Sequence, residues 1–111
     1  MLFTPAETKV VIVGGGTMGA DVAAVCARGG CAVQVVEPTT ERRALLPDYF
    51  INTMTELGYE NRIHLLTVAG SLEEVDWSEI DLVIECSNTE DAARVASEIE
   101  KITWSLNRLM N

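Results

Sequence analysis

Histidine is almost missing from this chain: His64 is the one example in 111 residues. Bases are scarce as well, with 8 Lys and Arg against 17 Asp and Glu, a formal net charge of −9. A surface of that sign repels phosphate backbones and anionic lipid, which argues against nucleic acid and membrane as partners. The three cysteines, Cys26, Cys31 and Cys86, form no C-x-x-C pair and no metal-ligand spacing. They lie in or beside apolar segments and read as buried, reduced thiols of a cytoplasmic protein. The opening MLFTPAET is neither a signal sequence nor a basic transit peptide. No apolar run approaches the ~20 residues needed to cross a bilayer. Repeats and low-complexity linkers are absent too. What remains is a chain with 48% hydrophobic residues, enough for one core, so residues 1–111 read as a single domain.

The stretch Lys9–Gly19, KVVIVGGGTMG, organises the rest. Val10 to Val13 form a β-branched run of the kind buried on both faces of a parallel sheet. The run enters three glycines, of which Gly14, Gly16 and Gly19 have the spacing G-x-G-x-x-G. Ala20, Val22, Ala23, Ala24 and Val25 then continue with small and apolar residues of helical character. A glycine motif that leaves a strand and opens a helix is the context in which it binds a dinucleotide. Gly14 allows the tight turn, Gly16 leaves room for a pyrophosphate, and Gly19 lets the helix lie close to the strand. The helix start offers unpaired N–H groups and the positive end of its dipole. Gly29-Gly30 ends that helix, and CAVQVVE (Cys31–Glu37) is a second strand closing on an acid. Glu37 stands where a carboxylate accepts hydrogen bonds from a ribose 2′-OH, which favours NAD over NADP. Arg42 and Arg43 read as the exposed side of the next helix, with phosphate binding the alternative.

Taken in order, strand 1 is Lys9–Val13, helix A Thr17–Arg28 and strand 2 Ala32–Val36. A second helix spans Thr40–Leu57, capped by Thr39 or Thr40, with Leu46, Phe50, Met54 and Leu57 on one face. Pro47 is expected to kink or split it, and Gly58 to stop it. Strand 3 is His64–Val68. His64 opens that outlying strand and reads as structural or solvent-facing. Ser71–Val75 is a short helical turn with Ser71 and Glu74 in capping-box spacing. Trp77 packs at a helix or strand edge. Strand 4 is Ile80–Cys86. Glu85, Ser87 and Asn88 lie at its carboxyl end, where open α/β sheets bind ligands, as neighbours of the nicotinamide ribose. Asn88 also suits the cap of a last helix, Glu90–Leu109, with Asp91 in its first turn. Ala92, Val95, Ile99, Ile102, Leu106 and Leu109 form a stripe on that helix. It packs on the sheet or serves as a seam to a second subunit. The fold expected is α/β, a Rossmann-type doubly wound parallel sheet, truncated, with strand order 3-2-1-4.

KVVIVGGGTMGADVA, VVE and EVDWSEIDLVIEC together resemble the N-terminal NAD-binding domain of 3-hydroxyacyl-CoA dehydrogenases. Those enzymes show G-x-G-x-M-G after strand 1 and D-L-V-I-E on strand 4. The resemblance implies cofactor positions at Gly14, Gly16, Thr17, Met18, Gly19 and Glu37. It implies an oxidoreductase of fatty acid metabolism that oxidises 3-hydroxyacyl-CoA to 3-ketoacyl-CoA with NAD. The family's histidine–glutamate pair, its fifth strand and its helical C-terminal domain would follow the end of this chain. No catalytic residue is therefore assigned within it. The family's glutamate after strand 4, and the lysine five residues on, fall here at about Thr89 and Arg94. The expectation is a chain that binds NAD(H) without turning over hydroxyacyl-CoA alone, acyl-CoA binding requiring the further domain. The alternatives are a stand-alone NAD-binding or sensing module, or the cofactor domain of a related β-hydroxyacid dehydrogenase. Strand 4, left as an apolar edge, or the last helix is expected to support a homo-oligomer.

Overall fold

A computed structural model of the chain describes residues 4–87 and 93–102. Asn88, Thr89 and Asp91, and the two ends of the expected last helix, lie outside the described residues. Four parallel strands, β1 (Lys9–Val13), β2 (Ala32–Val36), β3 (Leu66–Ala69) and β4 (Leu82–Glu85), form one sheet in the order β3-β2-β1-β4. This is the order expected. Val10 to Val13 are buried because β1 has a neighbour on each side and a cover on each face.

Alternation along the strands divides the core in two. Val10, Ile12, Val33 and Val35 face α1 (Thr17–Arg28) and α2 (Thr40–Glu56). On that side α1 presents Ala20, Ala23, Ala24 and Ala27, small enough to bring its backbone near the sheet. From α2 come Leu46, Phe50 and Met54, each worth about 1.5–3 kcal/mol when buried. Val11, Val13, Val36 and Ala69 face the other way, under Leu72, Val75, Trp77 and Val95. Two 3₁₀ turns, Leu72–Glu74 and Trp77–Glu79, and helix α3 (93–102) supply that second cover. Val95 is buried, and Ile99 and Ile102 pack beside it, so this part of the stripe faces the sheet rather than a second subunit. Among the described residues no helix is long and apolar enough to cross a membrane.

Several elements differ from expectation. Helix α2 runs unbroken through Pro47. Pro47 is exposed, while Leu46, Phe50 and Met54 on either side of it are anchored in the core and hold the helix together. Leu57 follows the last turn and is 47% exposed, so it leaves the buried face. Thr39 stands at the N-cap without a side-chain cap bond. His64 does not open a strand: it is exposed in a 3₁₀ turn, Glu60–Leu65, and β3 begins two residues later, where Leu66 pairs with Val33. The capping box at Ser71 does not form. Glu74 instead accepts from the Gly70 N–H at 2.7 Å and the Ser71 hydroxyl at 3.3 Å, and the Ser71 side chain makes no cap bond. Trp77 is a core residue, and its indole N–H donates to the Leu72 carbonyl at 2.8 Å. β4 is shorter than Ile80–Cys86, although the Asp81 and Cys86 amides extend its ladder to Lys9 and Val13.

Candidate functional site

The carboxyl ends of β1, β2 and β4 meet at Gly14. Its N–H donates to the Val36 carbonyl at 2.9 Å, while the Cys86 N–H donates to Val13 at 2.8 Å. Gly14 has φ +105°, a backbone state that side chains resist. A Cβ there would also stand 2.9 Å from the Cys86 carbonyl carbon and the Ser87 nitrogen. At position 19 a Cβ would lie 1.8 Å from the Gly14 carbonyl oxygen. Helix α1 thus lies against its own loop only because residue 19 has no side chain. Gly16 is the opposite case: a Cβ at this position would have nothing within 4 Å. The loop is crowded on its inner side and open where Gly16 faces outward. Gly16 is also the N-cap of α1, which has no side-chain cap and no acid in its first turn. Its first amides and dipole are left for an external anion.

Glu37 closes the site from β2. It is only 3% exposed, turned inward rather than standing as an open charge at a strand end. One carboxylate oxygen accepts the Gly15 N–H at 2.9 Å and the other the Thr39 N–H at 2.7 Å. A carboxylate has about four acceptor positions, so two remain for hydroxyls. Gly15, the middle glycine, is not among the expected site residues. A Cβ there would meet Leu46 at 2.9 Å and Glu37 at 3.0 Å. Its one signal in the sequence is that three glycines stand where the motif requires two. Arg43 is half-buried and donates to the carbonyls of Glu37 at 2.9 Å and Pro38 at 3.4 Å, so it is a fastening of β2 rather than a free surface cation.

In front of the loop lies a cavity of about 280 Å³ bounded by Gly15, Gly16, Thr17, Arg42, Leu45 and Tyr49. Thr17 and Met18 are exposed on the first turn of α1. Ser87 lies against Gly14, and its N–H and hydroxyl both donate to the Glu85 carboxylate. Arg94 bonds Glu98 at 2.9 Å across one turn of α3. Burial pushes the Cys86 thiol above its ordinary pKa, and the nearby Glu85 charge adds to this. Cys26 is raised in the same way, first by burial and then by the neighbouring thiols. Neither is a thiolate at neutral pH, which suits inert packing. His64 borders a different cavity, of about 270 Å³, with Lys9 and Ala32 at the amino ends of β1 and β2. Among the described residues no cluster of His, Cys, Asp or Glu is placed to hold a metal ion. Open space at Gly16, an uncapped helix start and a carboxylate with spare acceptor positions fit a dinucleotide.

A family model described as the NAD-binding domain of 3-hydroxyacyl-CoA dehydrogenase matches residues 9–105. The chain belongs to this family. NAD is the cofactor of the 3-hydroxyacyl-CoA dehydrogenase domain, and the sheet order places the chain among its Rossmann-like folds. M. tuberculosis FadB2 is 28% identical, with a TM-score of 0.70, over 84% of this chain and 36% of its own. (S)-3-hydroxybutyryl-CoA dehydrogenase PaaH1 from Ralstonia eutropha is 22% identical, with a TM-score of 0.72, over 85% of this chain and 36% of its own. At that identity the likeness is one of fold. The 3-hydroxybutyryl-CoA dehydrogenase of Escherichia coli K12 is 25% identical, with a TM-score of 0.61, over 74% of this chain and 19% of its own. The chain therefore spans about a third of the first two structures and less of the third. A search of curated proteins found no match.

Proposed function

We propose that this chain is the NAD(H)-holding part of a 3-hydroxyacyl-CoA dehydrogenase, with the cofactor seated on Gly14, Gly16, Thr17, Met18, Gly19, Glu37, Ser87 and Asn88. The observation that carries the reading is the open face of Gly16 at the uncapped start of α1, beside a carboxylate held by the same loop. The α1 amides receive the pyrophosphate, and Glu37 accepts from the adenosine ribose hydroxyls. A 2′-phosphate would bring like charge to that carboxylate, so NAD(H) is favoured over NADP(H). Bound NAD+ would take a hydride from a 3-hydroxyacyl-CoA. The hydroxyl proton needs a base within hydrogen-bond reach. His64 is at the other end of the sheet, so the described residues bring no imidazole to the cofactor. The chain is accordingly expected to bind cofactor without oxidising hydroxyacyl-CoA by itself, in a cytoplasmic setting that keeps its thiols reduced. The edge of β4, with Leu82 45% exposed, is the surface for self-association.

Titrating the purified chain with NADH and NADPH by fluorescence tests this. Tighter binding of NADH is expected, and Glu37→Gln should narrow the difference. Absence of binding to either would overturn the reading. Turnover of hydroxyacyl-CoA by the 111-residue chain would overturn its second half.

A further inference from the structure

A dinucleotide brings a pyrophosphate to a chain of net charge −9, next to the buried Glu37 carboxylate. Backbone amides offset part of that repulsion, and a cation would offset more. Most candidate cations are committed elsewhere. Lys9 pairs with Glu79, Arg43 with the Glu37 and Pro38 carbonyls, Arg62 with the Arg28 carbonyl, and Arg94 with Glu98. Arg28 is in the last turn of α1, at the far end from the loop.

Arg42 differs from all of these. It is exposed in the first turn of α2, makes no hydrogen bond or ion pair among the described residues, and borders the same cavity as Gly15, Gly16 and Thr17. A guanidinium presents paired N–H donors that match two phosphate oxygens, which a lysine ammonium does not. We propose that Arg42 is a ligand of the cofactor's pyrophosphate, meeting it across the cavity from the Gly16–Thr17 amides. The inference rests on the NAD(H) reading above and adds a residue that the glycine motif does not contain. It also divides the labour of two adjacent arginines. Arg43 fastens the end of β2, and Arg42 meets the ligand.

The test is a titration of the full chain and of Arg42→Ala and Arg42→Lys with NADH, NADPH and adenosine at two salt concentrations. Arg42→Ala should weaken NADH and NADPH alike, by about tenfold or more, the scale of a hydrogen bond to a charged group. Arg42→Lys should lose less, adenosine should be unaffected, and the salt dependence of NADH binding should flatten in Arg42→Ala. The melting temperature should stay at the wild-type value, since Arg42 has no partner among the described residues. NADH binding equal to wild type in Arg42→Ala would overturn the inference while leaving the NAD(H) reading intact. A loss confined to NADPH would overturn it as well, by assigning Arg42 to the 2′-phosphate. Wild-type chain that does not bind NADH would overturn both.

Discussion

At each end of the sheet, a carboxylate accepts a backbone amide from a neighbouring segment. At the carboxyl end Glu37, just past β2, holds the Gly15 N–H at 2.9 Å. At the amino end Asp81, just before β4, holds the Lys9 N–H at 2.9 Å. The distances are the same and the surroundings are not. Glu37 is 3% exposed, whereas Asp81 stands in water beside the solvent-facing Lys9–Glu79 pair. Water can replace the bond at the amino end, whereas loss of the one at the carboxyl end strands a buried amide. The glycine-loop end is thus held by a contact that solvent does not repair, and the opposite end by one that it does.

The largest way to break that contrast is Gly19→Ala. Its methyl would lie 1.8 Å from the Gly14 carbonyl oxygen, so either helix or loop must move. A loss of about 3 kcal/mol by urea unfolding is expected, the upper range for overpacking, together with loss of NADH binding. An unchanged midpoint would mean that α1 does not lie against its loop. Gly16→Ala is the control that separates folding from binding. Nothing stands near its methyl, so stability should change by less than about 1 kcal/mol while NADH affinity falls.

Glu37→Ala comes next, at about 2–3 kcal/mol, because it leaves the Gly15 and Thr39 amides without their acceptor. Glu37→Gln, which keeps one carbonyl oxygen, should cost less. Asp81→Ala should fall below about 1 kcal/mol, since the Lys9 amide is exposed to water. Equal losses from Glu37→Ala and Asp81→Ala in parallel urea titrations would erase the distinction between the ends.

Legibility in the sequence depends on whether several signals coincide. For β1, α1 and β2 the glycines mark the boundaries: the β-branched run of β1 stops at Gly14–Gly16, Gly29–Gly30 ends the helix, and the bounds Lys9–Val13, Thr17–Arg28 and Ala32–Val36 agree with expectation. At β3 the signals merge. The apolar stretch HLLTV continues from a 3₁₀ turn into the strand, and composition does not show where ladder bonding begins. The local rule for proline breaks α2 at Pro47, while three buried neighbours on the helix decide the outcome. In the site the position of Glu37 is visible but its inward turn is not, since that depends on an amide 22 residues away. Arg42 and Arg43 have the same residue type and adjacent positions, and only the packing of β2 against α2 tells them apart.

The smallest effect distinguishes the two ends by pH. Cys86 lies at the carboxyl end, and burial raises its pKa above an ordinary value of 9.0. Lys9 lies at the amino end, and its bond to Glu79 raises its pKa above 10.5. In both, the folded value exceeds the unfolded one, so the folded chain holds its proton more tightly. Such a group stabilises fully below its unfolded pKa, and the contribution is lost as pH rises through the folded value. The urea midpoint should therefore hold steady from neutral pH to about 9, then decline as Cys86 and Cys26 ionise in the unfolded chain. Lys9 adds its part only at higher pH. Replacing Cys86 by Ser should reduce the first part of the decline, and Lys9→Met only the later part. If Lys9→Met flattened the first part instead, the alkaline sensitivity would belong to the solvated end, and burial at the glycine-loop end would not be what sets it.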